Sequence, residues 1–250
     1  GMKWLISVIG LTVLVVVAVY FYMQPPVITL SQQRDFVLPG VTVINPGKSR
    51  RANSVIAVRG ETIAATVQEQ TVLEQYRDHY VLPGLIDNHA HLVPANALNL
   101  GDYLSLLYLA HGVTSIRNAL DMDGTADQAM RASNSPAPRL FSCGAPFGGL
   151  PAVFSHYVVV DAIERIPEQV LAHKQAGFSC IKSYDNLSPD LVAALRAEAA
   201  LHDLPVIGHV PVDLSYEQAV LPNTQHYFGV PKPEQLTRRD NLARTAHWQQ

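Results

Sequence analysis

The hydrophobic pattern divides the chain into three stretches. From Trp4 to Met23 no charged residue interrupts a run of Leu, Ile, Val and aromatic side chains. Hydrophobicity on every face predicts a helix immersed in lipid rather than one packed by a single stripe. Twenty residues of helix span about 30 Å, the thickness of a bilayer's hydrocarbon core. Lys3 is the one flanking cation, which predicts a cytoplasmic N-terminus and an extracytoplasmic remainder. Tyr20, Phe21 and Tyr22 fall where an interfacial aromatic belt lies. The competing reading is a cleaved signal peptide followed by secretion. The run is long for one, and no small-x-small cleavage site precedes Pro25-Pro26. Gly1 before Met2 reads as an expression scar. Residues 1–24 are thus scar plus anchor, and 25–35 a linker.

From Phe36 to Leu82 the pattern is β-like. Val41-Thr42-Val43-Ile44, Val55-Ile56-Ala57-Val58 and Thr62 to Thr66 are short runs. Asn45-Pro46-Gly47 and Arg59-Gly60-Glu61 supply the turn chemistry between them, as in the N-terminal part of a small β-sandwich domain. After Pro83 strands and helices alternate, which predicts a parallel sheet with crossover helices over 83–250. Strands are expected from Gly84, over Val113–Ile116, Arg139–Cys143, Phe178–Tyr184, Leu204–Val210 and Thr224–Phe228. Helices are expected over Tyr103–His111, Pro167–Ala176, from Ser188 (N-cap) and Pro189 to His202, and over Tyr216–Leu221. A polar helix is expected from Pro233 to Gln250. The fold class is therefore α/β, a TIM-type (β/α)8 barrel with about six of its eight strands present.

Composition narrows the field. A net charge of −3 with no basic stripe argues against nucleic acid. The two cysteines, Cys143 and Cys180, sit in apolar strand-like runs without CxxC spacing. They read as two buried thiols rather than a disulfide framework or a zinc knuckle.

The candidate chemistry begins at Asp87-Asn88-His89-Ala90-His91. Side chains alternate along a strand, so His89 and His91 share a face at the strand's C-terminal end, where barrel enzymes place catalytic groups. Two imidazoles so spaced can hold one divalent ion. Asp87 shares the face and could orient an imidazole. Lys182 is a lone cation in a strand suited to burial, where an ammonium is costly. Alternatively it snorkels from the strand end. Tyr184 shares its face and reads equally as a substrate contact or a core tyrosine. His156 follows Gly148-Gly149 in the long loop after the third barrel strand and is a candidate substrate contact. His111 and His202, in last helical turns, need no function, and His79, His173 and His247 also read as structural.

Pro83 to Leu92 resembles the first-strand motif of the amidohydrolase superfamily, in the imidazolonepropionase- and prolidase-like branch. Ala110 to Arg117, Ile181 to Tyr184, Val206 to His209 and Gln225-His226 resemble its later segments in order. The resemblance implies a metal-dependent hydrolase acting on an amide or other C–N bond, with a dipeptide-like or cyclic amide substrate. It implies that His89, His91, Lys182, His209 and His226 bind one or two divalent ions, zinc by ligand type, with Lys182 carbamylated. Lys182 and His209 would be catalytic through a hydroxide activated by two metals. Three features depart from the pattern. Asn118 stands where an acid is expected, and Gln225 where many relatives carry Glu. The family's eighth-strand aspartate has no counterpart, since no aspartate follows Asp240. The expectation is a chain truncated at its C-terminus, an enzyme by resemblance whose activity the missing aspartate puts in doubt. The alternative is a catalytically incompetent, membrane-tethered binding protein. The sequence leaves room for a homo-oligomer.

Overall fold

A computed structural model describes residues 2–28, 35–68, 75–211 and 214–226, with the side chains of Lys3, Leu5, Val67 and Gln68 excepted. The chain divides into two compact units, one of residues Val27–Leu85 and one containing the rest.

The smaller unit is a four-stranded sheet in the order β3-β2-β1-β4. β1 (Phe36–Asn45) and β2 (Ser49–Arg59) form an antiparallel hairpin around the expected Asn45-Pro46-Gly47 turn. β3 (Thr62–Gln68) returns antiparallel to β2, and β4 (Tyr80–Val81) lies parallel to β1. Val41 and Ile56 are its buried apolar side chains.

The larger unit begins with α1 (Met2–Tyr22), whose apolar side chains are exposed. The expected membrane span is not found here. Among the described residues no helix is long and apolar enough to cross a membrane. The side chains of Lys3 and Leu5 lie outside the description, so the fully described apolar run starts only at Ile6.

The alternation expected after Pro83 is present. β5 (Leu85–Ala90), α2 (Leu100–Ala110), β6 (Val113–Asn118), α3 (Ala126–Ala132) and β7 (Arg139–Ser142) build a sheet in the order β5-β6-β7. β8 (Phe147–Gly148), β9 (Val158–Val159), α4 (Ile166–Gln175), β10 (Ile181–Ser183), α5 (Pro189–Leu201), β11 (Val206–Gly208), α6 (Tyr216–Ala219) and β12 (Asn223–Thr224) build a second, ordered β12-β11-β10-β8-β9. The pairs β6–β7, β10–β11, β11–β12 and β8–β10 are all parallel. This mixed α/β arrangement fits part of a TIM-type fold. α5 starts as expected, with the Ser188 hydroxyl accepting from Leu191 N. Ser215 and Gln218 form a reciprocal capping box on α6. The main core lies between α4, α5 and the second sheet, around Phe147, Ile166, Val170, Ile181, Leu195 and Val206.

Three expectations need correction. Cys143 and Cys180 are not free thiols: they form a disulfide, with Cα atoms 4.5 Å apart. The end of β7 and the segment leading into β10 approach there, and Ser179 N donates to Ser142 O at 2.8 Å beside the bond. Two buried cysteines facing across that seam are within bonding reach. The fourth strand is also shorter than expected, because Phe178 to Cys180 precede the ladder. The sixth strand is only Asn223–Thr224, leaving Gln225 and His226 just past its end. The remainder of that expected strand, from residue 227, lies outside the described residues, as do the Pro233–Gln250 helix and His247. α3, β8 and β9 were not expected. α3 follows an Asp123–Thr125 turn, and β8 and β9 lie in the long loop after β7.

Candidate functional site

Four histidines and one lysine gather at or just past the C-terminal ends of β5, β10, β11 and β12. β5 brings His89 and, just beyond its end, His91. β10 brings Lys182, the residue after β11 is His209, and His226 follows β12. The rings of His89 and His226 have centroids 4.7 Å apart, and those of His209 and His226 5.0 Å. The Nε2 atoms of His89 and His91 are 3.1 Å apart.

Backbone packing forces this convergence. Gly208 precedes His209, and a Cβ added to it would stand 2.1 Å from the Ser183 carbonyl oxygen. Only glycine lets β10 and β11 pair in the register Ser183↔Gly208, with Lys182 opposite Ile207 and His209 following directly after β11. His209 N donates to Ser183 O at 3.0 Å, and Gln225 N to Gly208 O at 2.7 Å. Gly149 plays a similar part: a Cβ there would meet Asn186 O at 1.8 Å. This presses the loop after β7 against the end of β10.

The hydrogen bonds decide which ring nitrogens face the centre. His89 Nδ1 donates to Gln225 Oε1, and Gln225 Nε2 donates to Asn223 Oδ1. Asn223 Oδ1 also accepts from Arg117 NH2 at 3.3 Å, and Arg117 Nε donates to Asn88 O at 2.8 Å. His91 Nδ1 approaches Leu120 O at 3.5 Å. A carbonyl can only accept, so both imidazoles carry their proton on Nδ1 and turn a bare Nε2 inward. His209 Nδ1 meets Asp185 Oδ1 at 3.2 Å, with the same result.

Burial and mutual repulsion keep these groups neutral. His89, His91 and His209 titrate below the ordinary histidine range, desolvation being the largest cause in each. His226 is pushed down to about 4, by desolvation first and then by His209 and Lys182. Lys182 is fully buried, and its Nζ has no hydrogen-bond partner among the described residues. Desolvation, then the nearby Arg117 guanidinium, lowers it from 10.5 to about 7. Each of the four histidines lies within electrostatic reach of Lys182.

Among the described residues no group of three His, Cys, Asp or Glu side chains is placed to hold a metal ion. The four rings form a continuous run instead, His91 to His89 to His226 to His209, with centroids 4.7–5.0 Å apart. The chemistry of the set nonetheless fits a cation. Two unprotonated Nε2 atoms facing each other at 3.1 Å repel unless positive charge lies between them. Two nitrogen ligands of one tetrahedral zinc, each bound at ~2.0–2.1 Å, stand roughly 3.3 Å apart.

The remaining candidates divide. Tyr184 stacks on His209 with centroids 4.4 Å apart, and burial raises its hydroxyl to about 12. Phe154 and Tyr157 pack edge-on against it. His156 instead packs by Gly124, its N–H donating to Met122 O at 3.4 Å. Asp87 accepts from His89 N at 2.9 Å, so it holds the backbone rather than the imidazole. Gln225 and Asp185 are the side chains that hold rings. Asp185 was missed, and its only signal is its place just after the lysine strand. Asn118 bridges Leu92 N and Asp127 Oδ1 rather than facing the imidazoles. His111 caps α2 through Leu107 O, and His202 pairs with Glu198, as structural residues do. His173 is also structural but buried, its ring bonded to Cys180 O at 2.9 Å.

With this geometry in hand, comparison with solved structures decides the fold. The chain superposes on a bottromycin amidohydrolase with a TM-score of 0.63 at 24% identity, over 87% of this chain and 49% of that one. The two share a fold over that stretch. A prolidase complexed with N-methylphosphonate-L-proline matches with TM-score 0.54 at 21% identity, over 70% of this chain and 55% of that one. A molinate hydrolase matches with TM-score 0.58 at 13% identity, over 76% and 56%. The chain thus spans about half the length of the structures it matches. No family model and no curated protein matches the sequence.

Proposed function

We propose that this chain carries the metal site of a hydrolase acting on an amide or related C–N bond. One observation carries the reading: the buried Nζ of Lys182, without a hydrogen-bond partner among the described residues, within electrostatic reach of four histidines. An amine held near neutrality is the form to which carbon dioxide adds, and the resulting carbamate would give the buried group a charge that bound cations can satisfy. His89 and His91 would hold one ion, His209 and His226 another, and modified Lys182 would serve both. A divalent ion there, zinc by ligand type although manganese, iron or cobalt suit the same donors, supplies Lewis acidity toward a carbonyl and toward water.

The chain's own groups do the rest. Gln225, Leu120 O and Asp185 hold three imidazoles in one tautomer. Tyr184, kept protonated by burial, offers a hydroxyl beside His209 for a substrate carbonyl or carboxylate. His156, on the neighbouring loop, is a further candidate contact. The fold neighbours include an amidohydrolase and a prolidase, which supports a dipeptide-like or cyclic amide substrate. The test is to load the purified chain with zinc, count bound metal, and assay a panel of dipeptides and cyclic amides. Up to two ions per chain are expected, fewer in Lys182→Ala, with any turnover lost there. A metal count unchanged in both His89→Ala and His209→Ala would overturn the reading.

We also propose that α1 attaches the protein to a membrane with its hydrolytic unit extracytoplasmic. Support comes from the exposed apolar side chains of α1, Leu14 and Phe21 among them, and from the disulfide, a bond that persists in oxidising compartments. Fractionation with carbonate washing tests it: release of the intact chain into the wash counts against it.

A further inference from the structure

We propose that Asp185 is a positioning residue that locks the His209 ring so that Nε2 alone is presented to a metal ion. The proposal rests on the metal-site reading above, but its first test does not need metal.

The geometry is specific. Asp185 and His209 are both buried, and Asp185 Oδ1 lies 3.2 Å from His209 Nδ1. A carboxylate only accepts, so Nδ1 carries the proton and Nε2 keeps its lone pair. A free imidazole in water favours the opposite tautomer, with the proton on Nε2, so the carboxylate must impose this one. Tyr184 covers one face of the same ring, which leaves it little freedom to flip.

Asp185 is itself held in place by the loop after β7. Gly149 N donates to Asp185 O at 3.0 Å, and a Cβ on Gly148 would stand 2.8 Å from that oxygen. Tyr184 N donates to Phe147 O at 2.8 Å, and Tyr157 Oη to Gly149 O at 3.3 Å. The loop that carries Phe154 and His156 is therefore stitched to the residue that aims His209. An outer carboxylate on a ligand histidine also makes the imidazole a stronger donor, an effect commonly worth roughly 10–100-fold in metal affinity.

The experiment uses the 250-residue chain labelled with ¹⁵N-histidine, without metal, read by long-range proton–nitrogen correlation. His209 is expected as the Nδ1–H tautomer in the wild type. It should keep that tautomer in Asp185→Asn, whose amide oxygen still accepts, and move toward Nε2–H in Asp185→Ala. Zinc titration of the three proteins then reads affinity. Asp185→Ala should lose roughly 10–100-fold for one ion, and Asp185→Asn less, because geometry survives without the charge. A His209 tautomer unchanged in Asp185→Ala overturns the proposal. If the tautomer switches in Asp185→Ala but the wild type binds no zinc, the metal-site reading is overturned instead and Asp185 stands as a tautomer lock.

Discussion

Gly208 and Ser183 approach so closely that a single added methyl would sit 2.1 Å from the serine's carbonyl oxygen. That carbonyl also accepts from His209 N, so the strands cannot part without releasing the site. Gly208→Ala should therefore destabilise the larger unit by about 2–4 kcal/mol, the range of severe backbone and packing clashes. Denaturant titration checks it. A midpoint within error of wild type would mean that the strands can spread at no cost.

Lys182 gives a pH signature with a definite sign. Its folded value, about 7, lies below the unfolded 10.5. Between those limits only the unfolded chain holds the proton, so stability falls as pH is lowered from about 10.5 to 7 and stays reduced below. The full effect is on the order of 3–5 kcal/mol. Lys182→Met should abolish the slope and be the more stable protein at pH 7, in buffers freed of carbon dioxide. A wild-type curve flat across that window would show that the amine finds a counter-charge.

Metal retention should track the neutral imidazoles. Because burial holds them below the usual range, with His226 near 4, bound metal should survive at pH 6 and be lost as pH falls toward 4. His89→Ala and His91→Ala should each lower the metal count, while His111→Ala, which only removes a helix cap, should not. Elemental analysis after dialysis at stepped pH reads both. Equal loss in all three variants would remove the site assignment.

Much of this site was legible because strand alternation does geometric work. His89 and His91, two apart on one strand, had to share a face, and Lys182 stood out as a cation in an apolar strand. The partners that orient them were not legible. Gln225 reaches His89 from 136 residues away, and Asp185 reaches His209 from 24. No local pattern says which of many polar side chains will close such a distance. The disulfide was hidden for the same reason, since it depends on two strands meeting at one level. The helix α1 could be read as a helix from its hydrophobicity, but its relation to a membrane is not fixed by that alone.

Asn118 also makes sense only in three dimensions. Its amide donates to buried Asp127 at 2.8 Å, and Ser142 Oγ donates to the same carboxylate. Burial, the largest cause, already raises Asp127 above the usual carboxylate range. An aspartate at 118 would set two acids together with one fewer donor. Asn118→Asp should cost about 2–4 kcal/mol at neutral pH and less in mild acid, where one carboxyl can take a proton. Thermal unfolding at pH 5 and pH 7.5 compares the two. A variant as stable as wild type at both would rule out the repulsion.

His226 holds a left-handed backbone, with φ of 61°, a conformation that glycine and asparagine adopt more easily. Selection for folding alone and selection for the imidazole therefore pull this position in opposite directions. In a library randomised at 226, survival of heat or protease should enrich glycine and asparagine, whereas survival on metal capture should return histidine. The divergence between the two winners would measure how far the chain has been drawn away from its most stable sequence.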